Sequence, residues 1–346
     1  MRMQDCGKKL CIVFFVLIFI GMFLFVSSAS AQQKVVGVAN LWLGNDWNAR
    51  CNQTIIDYFE KKGVKVISSN AQPQGTPRQV ADVENFISMK VNGIIIKGGE
   101  GDAFLGATKK AYDANIPVVT VIMFSPWAVN ASVEDSWQGS TNLAVWMVNQ
   151  MHGSGKYIGM DAAGWHTLEV RKRAFNEVLR WYKDIKLIGE WHEVDPSDPV
   201  NNAYNITKAT LRANPDLKGV ATTWGLPAVG AIKAIKEMKA EKQVCVISID
   251  QEPALLAEMH QPDCPATAVV GIEPIVQGTE AAKALEAAMG YKTVKEAKEN
   301  LPALSMIGVS YVANKDVDQF KPKKVYKTVD EAWESNFAGT NLKRPW

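Results

Sequence analysis

Short apolar runs alternate with longer amphipathic stretches along most of the chain. The runs at 93–97 and 244–249 are rich in isoleucine and valine and have the length of buried strands. The stretches between such runs repeat their apolar residues at helical spacing. One of them, 48–62, is followed by Gly63, a residue typical of a helix end. This alternation predicts parallel sheets with helices on both faces.

The predicted elements fall into two series separated by a break. The predicted strands are 35–41, 64–68, 93–97 and 116–123 in the first series, and 157–161, 186–191, 220–224, 243–250 and 266–272 in the second. The predicted helices are 48–62, 77–90, 103–114, 167–182, 199–213, 227–238, 253–259 and 275–289. Residues 124–139 are mostly polar and small, and we predict an irregular connection there. The two series predict an α/β protein with two doubly wound parallel-sheet domains.

The first 31 residues have a different pattern. A basic start precedes the apolar run 10–26, and small residues stand at Ala29 and Ala31. This order predicts a secretory signal peptide cleaved after Ala31, so that the mature chain reaches the periplasm or another extracytoplasmic space. A membrane anchor is the alternative, because the run is close to the minimum length of a span. No second run approaches that length, which predicts a soluble mature protein.

Charge and cysteine content narrow the classes of function. The chain has 38 basic and 36 acidic residues, and this balance gives no reason to expect a nucleic-acid partner. Cys51, Cys245 and Cys264 follow the predicted leader. An odd number allows at most one disulfide among them, and unpaired buried thiols are the alternative.

Motifs for catalysis or cofactor binding do not stand out. There is no Gly-x-Ser-x-Gly nucleophile motif, and no Gly-x-Gly-x-x-Gly follows the first predicted strand. The stretch 153–156 (Gly-Ser-Gly-Lys) lacks the remaining residues of a phosphate loop, so we interpret it as a turn. The four histidines are scattered. We therefore predict no catalytic residue, no metal and no cofactor, and a binding protein rather than an enzyme.

Candidate binding residues lie where strands end, because ligands of open parallel sheets bind beyond the carboxyl ends of the strands. The loop after the first strand holds Trp42, Asp46 and Trp47. Tryptophan faces pack well on the C–H faces of sugar rings. Core packing by Trp47 and helix capping by Asp46 are the alternative explanation. Lys97 ends the third strand, where ligand contact and solvation stay open alternatives.

The break and the second series supply the other candidates. Arg171, in the first turns of a predicted helix, has a fork of donors suited to ring hydroxyls or a carboxylate, with a surface ion pair as the alternative. An acid that ends a buried strand is costly unless it is paired, solvated or in contact with a ligand. The remaining candidates are Trp137, Trp165, Trp224, Asp250 and Glu273.

Several motifs, in their order and spacing, resemble the ribose- and galactose-binding family of periplasmic binding proteins over about residues 34–312. They are Ala-Asn-Ile-Pro-Val-Val-Thr at 114–120, Arg171 four residues before Phe175, Ala-Asn-Pro-Asp-Leu-Lys-Gly-Val at 213–220, Pro-Ala-Val-Gly-Ala at 227–231 and Val-Ile-Ser-Ile-Asp at 246–250. The resemblance implies a type I fold, in which three crossover strands join the domains and a hinge closes them on a ligand. The implied division is a signal peptide at 1–31, an N-terminal domain at 32–134 plus 273–300, and a C-terminal domain at 135–272 plus 301–346.

The resemblance also implies roles for individual residues. Arg171 and Asp250 match the arginine and aspartate that hydrogen-bond sugar hydroxyls in the family, and Trp47 falls in its aromatic stacking region. The chain departs from the family at 122–123, where Ile-Met replaces a common Asp-Arg, and at Trp224, where asparagine or aspartate is common. These departures predict a less polar, more aromatic pocket, suited to a deoxy sugar, a polyol derivative or a small aromatic or heterocyclic solute.

The function implied by the resemblance is extracytoplasmic solute binding. A monomer would capture a small sugar-like ligand between its domains and deliver it to an ABC transporter permease in the membrane. A ligand-binding subunit for a sensor or chemoreceptor is one alternative. An exported carbohydrate enzyme is a disfavoured one, since it would need paired carboxylates from residues such as Asp46, Asp250 and Glu273.

Overall fold

The computed structural model describes residues 33–261 and 263–313. Its strands are β1 (Val35–Asn40), β2 (Lys65–Asn70), β3 (Gly93–Lys97), β4 (Val118–Val121), β5 (Asn130–Glu134), β6 (Gly155–Asp161), β7 (Ile185–Leu187), β8 (His192–Glu193), β9 (Leu217–Thr222), β10 (Cys245–Ile249), β11 (Ala266–Gly271), β12 (Leu304–Ile307) and β13 (Ser310–Ala313). Its α-helices are α1 (Asp46–Glu60), α2 (Thr76–Ser88), α3 (Leu105–Asp113), α4 (Ser136–Gln150), α5 (His166–Leu179), α6 (Pro199–Ala213), α7 (Gly225–Glu237), α8 (Pro253–Met259), α9 (Pro274–Ala288) and α10 (Val294–Asn300), and a short 3₁₀ helix spans Gly101–Phe104.

The strands form two separate sheets with the same winding. The first sheet has the order β12-β5-β4-β3-β1-β2, and its strand pairs are parallel. The second has the order β13-β11-β10-β9-β6-β7, with β8 also paired to β6, and only β13 runs antiparallel to its neighbour among the described strands. In the first sheet β1 lies between β2 and β3, and in the second β6 lies between β7 and β9, which is the doubly wound order. The predicted fold class is confirmed.

Burial on both faces explains the apolar strands. Ile94, Ile95 and Ile96 of β3 are all fully buried, because helices cover both sides of the first sheet. Val36 and Val38 of β1 share a buried cluster with Ile95, while Ile94 and Ile96 belong to another cluster. A strand in this position has no solvent face on which polar residues would alternate, so the sequence shows a continuous apolar run.

The chain passes between the sheets three times within the described residues, as the family resemblance implies. It leaves the first sheet after β5 and enters α4, which packs on α5, β10 and β11. It returns after β11 into α9, which packs on α1, β4 and β5. The third passage joins β12 of the first sheet to β13 of the second. We call each sheet with its covering helices the first and the second lobe.

The predicted division of the chain differs from the sheets at its C-terminal end. The prediction assigned residues from 301 onward to the C-terminal domain, but β12 pairs in parallel with β5 of the first sheet. The chain changes lobes between Ile307 and Ser310, since the next strand, β13, pairs with β11. The domain boundaries in other respects stay a prediction.

Regular structure within residues 124–139 contradicts the predicted irregular break. Strand β5 has the sequence Asn-Ala-Ser-Val-Glu, which lacks the apolar signal of a central strand. Two of its polar side chains bond residues far along the chain: Asn130 donates to Pro302 O at 2.8 Å, and Ser132 accepts from Gln277 at 2.9 Å. These partners are distant in sequence, so the local pattern could not indicate them.

The predictions on the cysteines, on membrane-spanning segments and on the signal peptide have different outcomes. Cys51, Cys245 and Cys264 are buried and free, so the unpaired alternative is the one observed. None of the helices among the described residues is long and apolar enough to cross a membrane. The predicted signal peptide lies outside the described residues.

Gly230 is where α6 and α7 pack most closely, and it generates a stability prediction. A Cβ atom at Gly230 would stand 2.1 Å from Val200 O and 2.9 Å from Tyr204 N, both backbone atoms that move only with the helix. We expect Gly230→Ala to lower the free energy of unfolding by about 1–3 kcal/mol in urea titrations. Gly106→Ala is the matched control, because a Cβ atom there meets nothing within 4 Å, and it should leave stability unchanged or slightly higher. Equal effects of the two substitutions would contradict this account.

Candidate functional site

A cleft lies between the lobes, at the carboxyl ends of both sets of strands. It encloses about 490 Å³ of space, part of it open to solvent. The residues that line it come from the loops after β1, β4, β6 and β8, from the end of β5, from α1 and α5, and from the residues after β9 and β10. They are Trp42, Asn45, Trp47, Asn48, Ile122, Glu134, Ala162, Trp165, Thr167, Leu168, Arg171, Pro196, Trp224 and Asp250. This is the place where doubly wound sheets bind ligands.

Four tryptophans form much of the cleft wall. Trp42 of the first lobe meets Trp165 of the second edge to face, with ring centroids 6.2 Å apart. Trp47 and Trp224 are buried on their respective lobes. Indole Nε1 of Trp47 is buried and has no hydrogen-bond partner among the described residues. The wall therefore offers broad apolar faces together with one donor.

Arg171 is the centre of the polar part of the cleft. Its Nη1 and Nη2 fork onto Asp250 Oδ2 and Oδ1, both at 3.1 Å. Nη2 also donates to Glu134 Oε1 at 3.0 Å, across the gap between the lobes. Nη1 donates to Thr223 O at 2.8 Å, and Nε to Ser136 Oγ at 3.3 Å. The guanidinium thus joins a carboxylate of each lobe in a buried network.

Glu134 ends β5 and has two carboxylate oxygens in very different surroundings. Oε1 accepts from Ser136 Oγ at 2.8 Å, from Thr167 Oγ1 and from Arg171. Oε2 is buried without a hydrogen-bond partner among the described residues. Burial by itself would raise the pKa of Glu134, but the charge of Arg171 and the two hydroxyl groups outweigh it and lower that pKa. Glu134 is therefore an anion at neutral pH.

A second contact between the lobes joins Asn45 to Glu252. Asn45 caps α1 by accepting from Asn48 N at 3.0 Å, and its Nδ2 donates to Glu252 Oε1 at 2.8 Å. Burial, together with the negative charges of Asp250 and Asp46, raises the pKa of Glu252 to about 7. This carboxyl therefore titrates close to neutral pH.

Lys97 lies behind the cleft wall rather than in it. Its ammonium donates to Asn48 Oδ1 and stands 5.6 Å from the ring centroid of Trp47. Burial lowers the pKa of Lys97 to about 8. The lysine consequently orients two residues that line the cleft and does not itself line it.

A profile of the periplasmic binding protein domain matches residues 36–293. The chain belongs to this family. The ribose import binding protein of Bacillus subtilis is 23% identical over 276 residues, which cover 78% of this chain and 86% of that protein. The D-apiose import binding protein of Actinobacillus succinogenes is 26% identical over 176 residues, and that match covers 49% of this chain and 54% of the relative.

Solved structures of solute-binding proteins have the same fold as this periplasmic binding protein. One, from an ABC transporter of Agrobacterium vitis with bound allitol, has a TM-score of 0.76 at 21% identity and covers 83% of this chain and 98% of its own. Another, a 5-methylthioribose transporter protein of Thermotoga lettingae in complex with 5-methylthioribose, has a TM-score of 0.73 at 21% identity, over 90% of this chain and 94% of its own.

The structure brings together six of the ten predicted binding residues. Those that line the cleft are Trp42, Trp47, Trp165, Arg171, Trp224 and Asp250. Besides Lys97, three other predicted binding residues do not line the cleft. Asp46 pairs with Arg50 at the start of α1, and the exposed Glu273 accepts from Gln251. Trp137 is half exposed and lines a neighbouring hollow, which shares Glu134 with the cleft. Local hydrogen bonding or solvation therefore accounts for these three.

Sequence reasoning missed four polar residues of the cleft, one of which, Thr167, begins the predicted helix 167–182. Asn45 and Asn48 stand beside Trp47, in a loop that was already a candidate, so their position could have indicated them. Glu134 ends β5, a strand that the polar sequence of residues 130–134 concealed. Recognition of that strand would have applied the strand-end rule to Glu134 as well.

Removal of Arg171 should leave two buried carboxylates without their partner. We expect Arg171→Ala to lower the free energy of unfolding by about 3–5 kcal/mol, measured by urea titration at pH 7. Arg173→Ala is the matched control, because Arg173 is exposed and bonds Glu169 on the helix surface. The control should change stability by less than about 1 kcal/mol. A similar small effect for both would show that the Arg171 network contributes little.

The raised pKa of Glu252 predicts a pH-dependent effect. The folded state holds the Glu252 proton more tightly than the unfolded state, so this stabilisation is present below pH 4.5 and is lost as pH rises through about 7. Glu252→Gln keeps an acceptor for Asn45 and cannot ionise. We expect the variant to be more stable than wild type by about 1–3 kcal/mol at pH 8 and nearly equal at pH 4.5, by urea titration. The exposed Glu60→Gln is the control, and a difference independent of pH would contradict the assignment.

Proposed function

We propose that the protein is an extracytoplasmic solute-binding protein that captures a small sugar-like or polyol ligand and delivers it to an ABC transporter permease. The observation that carries the proposal is the cleft itself: tryptophans from both lobes surround a buried Arg171 network at the carboxyl ends of two parallel sheets. Family membership and the import proteins among the relatives support the same conclusion.

The chemistry of the cleft suits a ligand with hydroxyl groups and a partly apolar surface. Indole faces pack on C–H groups of sugars and polyols, while Glu134 Oε2 and Trp47 Nε1 offer an acceptor and a donor. Closure of the lobes removes water from these groups, so a ligand that leaves them unpaired loses affinity. The structures with allitol and 5-methylthioribose bound fit this class, since both ligands combine hydroxyl groups with apolar surface.

Closure by a hinge gives the binding event a signal that a permease can recognise. The three passages between the lobes are the segments about which the lobes would rotate. Contacts that span the lobes, such as Arg171 with Glu134 and Asn45 with Glu252, exist when the lobes are together. Ligand binding then favours the closed form through its additional contacts with both lobes.

Export, a monomeric state and the absence of catalysis complete the proposal. Cleavage after Ala31 would release the mature chain outside the cytoplasm. The N-terminal sequence of the exported protein tests this, and Gln32 is the residue expected first.

A sensor or chemoreceptor could use the same closed form, and the identity of the membrane protein that binds it distinguishes the two roles.

Ligand class is tested by thermal shift and isothermal calorimetry with pentoses, hexoses, polyols, deoxy and methylthio sugars, and nucleosides. A ligand at 100 times its Kd stabilises the folded state by about 2.7 kcal/mol, which raises Tm by several degrees. We expect a shift with one neutral hydroxyl-bearing class and a change in tryptophan fluorescence. A shift with nucleosides or other heterocycles alone would replace the sugar-like ligand with a less polar solute.

A matched pair of tryptophan variants localises the binding. Trp224 is buried in the cleft wall, whereas Trp181 is 73% exposed and outside it. We expect Trp224→Ala to weaken binding of the ligand found in the panel by about tenfold or more, because a packed aromatic surface is lost. Trp181→Ala should bind as wild type does. Equal affinities of the two variants would place the ligand outside this cleft.

A further inference from the structure

All five N–H donors of Arg171 are occupied by the protein itself. They bond Ser136 Oγ, Thr223 O, Glu134 Oε1 and both oxygens of Asp250. A guanidinium has no further N–H group. A ligand oxygen could therefore be bound by Arg171 only by sharing or replacing one of these buried bonds. This differs from the role in sugar binding that the family resemblance implies.

Glu134 has the opposite arrangement. Three donors hold Oε1 in place, while Oε2 is buried and has no hydrogen-bond partner among the described residues. Glu134 is one of the residues that line the cleft. A buried carboxylate oxygen without a partner is unfavourable, so a donor placed there contributes strongly to binding. Trp47 also lines the cleft, and its Nε1 is a buried donor that likewise lacks a partner in the described part of the chain.

We propose that Glu134, rather than Arg171, recognises the ligand. Its Oε2 accepts a hydrogen bond from a hydroxyl group of a neutral sugar or polyol. Arg171 is a positioning residue, which holds Glu134 and Asp250 in place. This inference deepens the proposed function and rests on it. It identifies Glu134 as the residue that recognises the ligand, and it excludes sugar acids from the ligand class.

Charge accounts for the exclusion of acids. The charged residues that line the cleft are two carboxylates, Glu134 and Asp250, and one guanidinium, Arg171. An additional carboxylate from a ligand would approach an ionised Glu134 and would find no free donor on Arg171. Hydroxyl groups avoid this conflict, because one can donate to Glu134 while another accepts from Trp47.

The variant Glu134→Gln tests whether Glu134 or Arg171 recognises the ligand. The amide oxygen keeps the position of Oε1, where Arg171, Thr167 and Ser136 all donate to it. The amide N–H₂ then replaces Oε2 and points a donor at the ligand hydroxyl. We expect Kd for the neutral ligand with the largest thermal shift to rise at least about tenfold, since a hydrogen bond to a charged group is lost. Glu258→Gln, at a carboxylate paired with Lys236 away from the cleft, should leave Kd unchanged.

Wild-type protein gives a second test that involves no folding risk. Kd is measured for the same neutral ligand and for the sugar acid with the same carbon skeleton, and the acid should bind at least about tenfold more weakly. A Glu134→Gln variant that binds within about threefold of wild type would overturn the inference, and so would equal affinity for the acid. Failure of wild type to bind any neutral sugar or polyol would instead refute the proposed function.

The positioning role of Arg171 is tested by a double-mutant cycle on Kd. Arg171→Lys retains a positive charge but cannot hold both carboxylates with a planar fork. If Arg171 acts through Glu134, Arg171→Lys should weaken binding more in wild type than in the Glu134→Gln variant. Additive effects would show that Arg171 contacts the ligand independently of Glu134.

Discussion

A single buried guanidinium joins the two lobes of this protein. Arg171 comes from a helix of the second lobe, forks onto Asp250 of the same lobe and also bonds Glu134 of the first. Arg171 is the one cation between two buried carboxylates, so its removal would leave both of them without an ion-pair partner. This network and the four tryptophans together line the cleft between the lobes.

The network also determines which atoms remain for a ligand. Because Asp250 and the hydroxyl groups of Ser136 and Thr167 are committed to Arg171 and Glu134, the polar part of the cleft is largely self-satisfied. Among the buried side-chain atoms of the described residues that line the cleft, one carboxylate oxygen and one indole N–H lack a partner. A cleft with few free polar groups and wide aromatic faces selects by shape and by a small number of hydrogen bonds.

The error at residues 124–139 and the omission of Glu134 have one cause. Strand β5 is polar in sequence yet central in its sheet, and the groups that satisfy Asn130 and Ser132 come from residues more than a hundred positions away. Ladder bonds to β4 and β12 hold the strand in place, despite its weak intrinsic preference. A prediction based on local apolar runs assigns such a segment to a loop, so Glu134 at the end of the strand is not recognised as a candidate.

The amino-acid sequence alone determined the α/β class, the two-series organisation and six of the cleft-lining residues. These follow from local apolar periodicity and from the rule that parallel strands bind ligands at their carboxyl ends. Only the tertiary structure decided that Lys97 lies behind the wall, that β12 belongs to the first sheet, and that the donors of Arg171 are all occupied. The reason is physical: the hydrogen-bond donors and acceptors that a side chain has left for a ligand depend on partners that folding brings from distant parts of the chain. The local sequence pattern does not encode those partners.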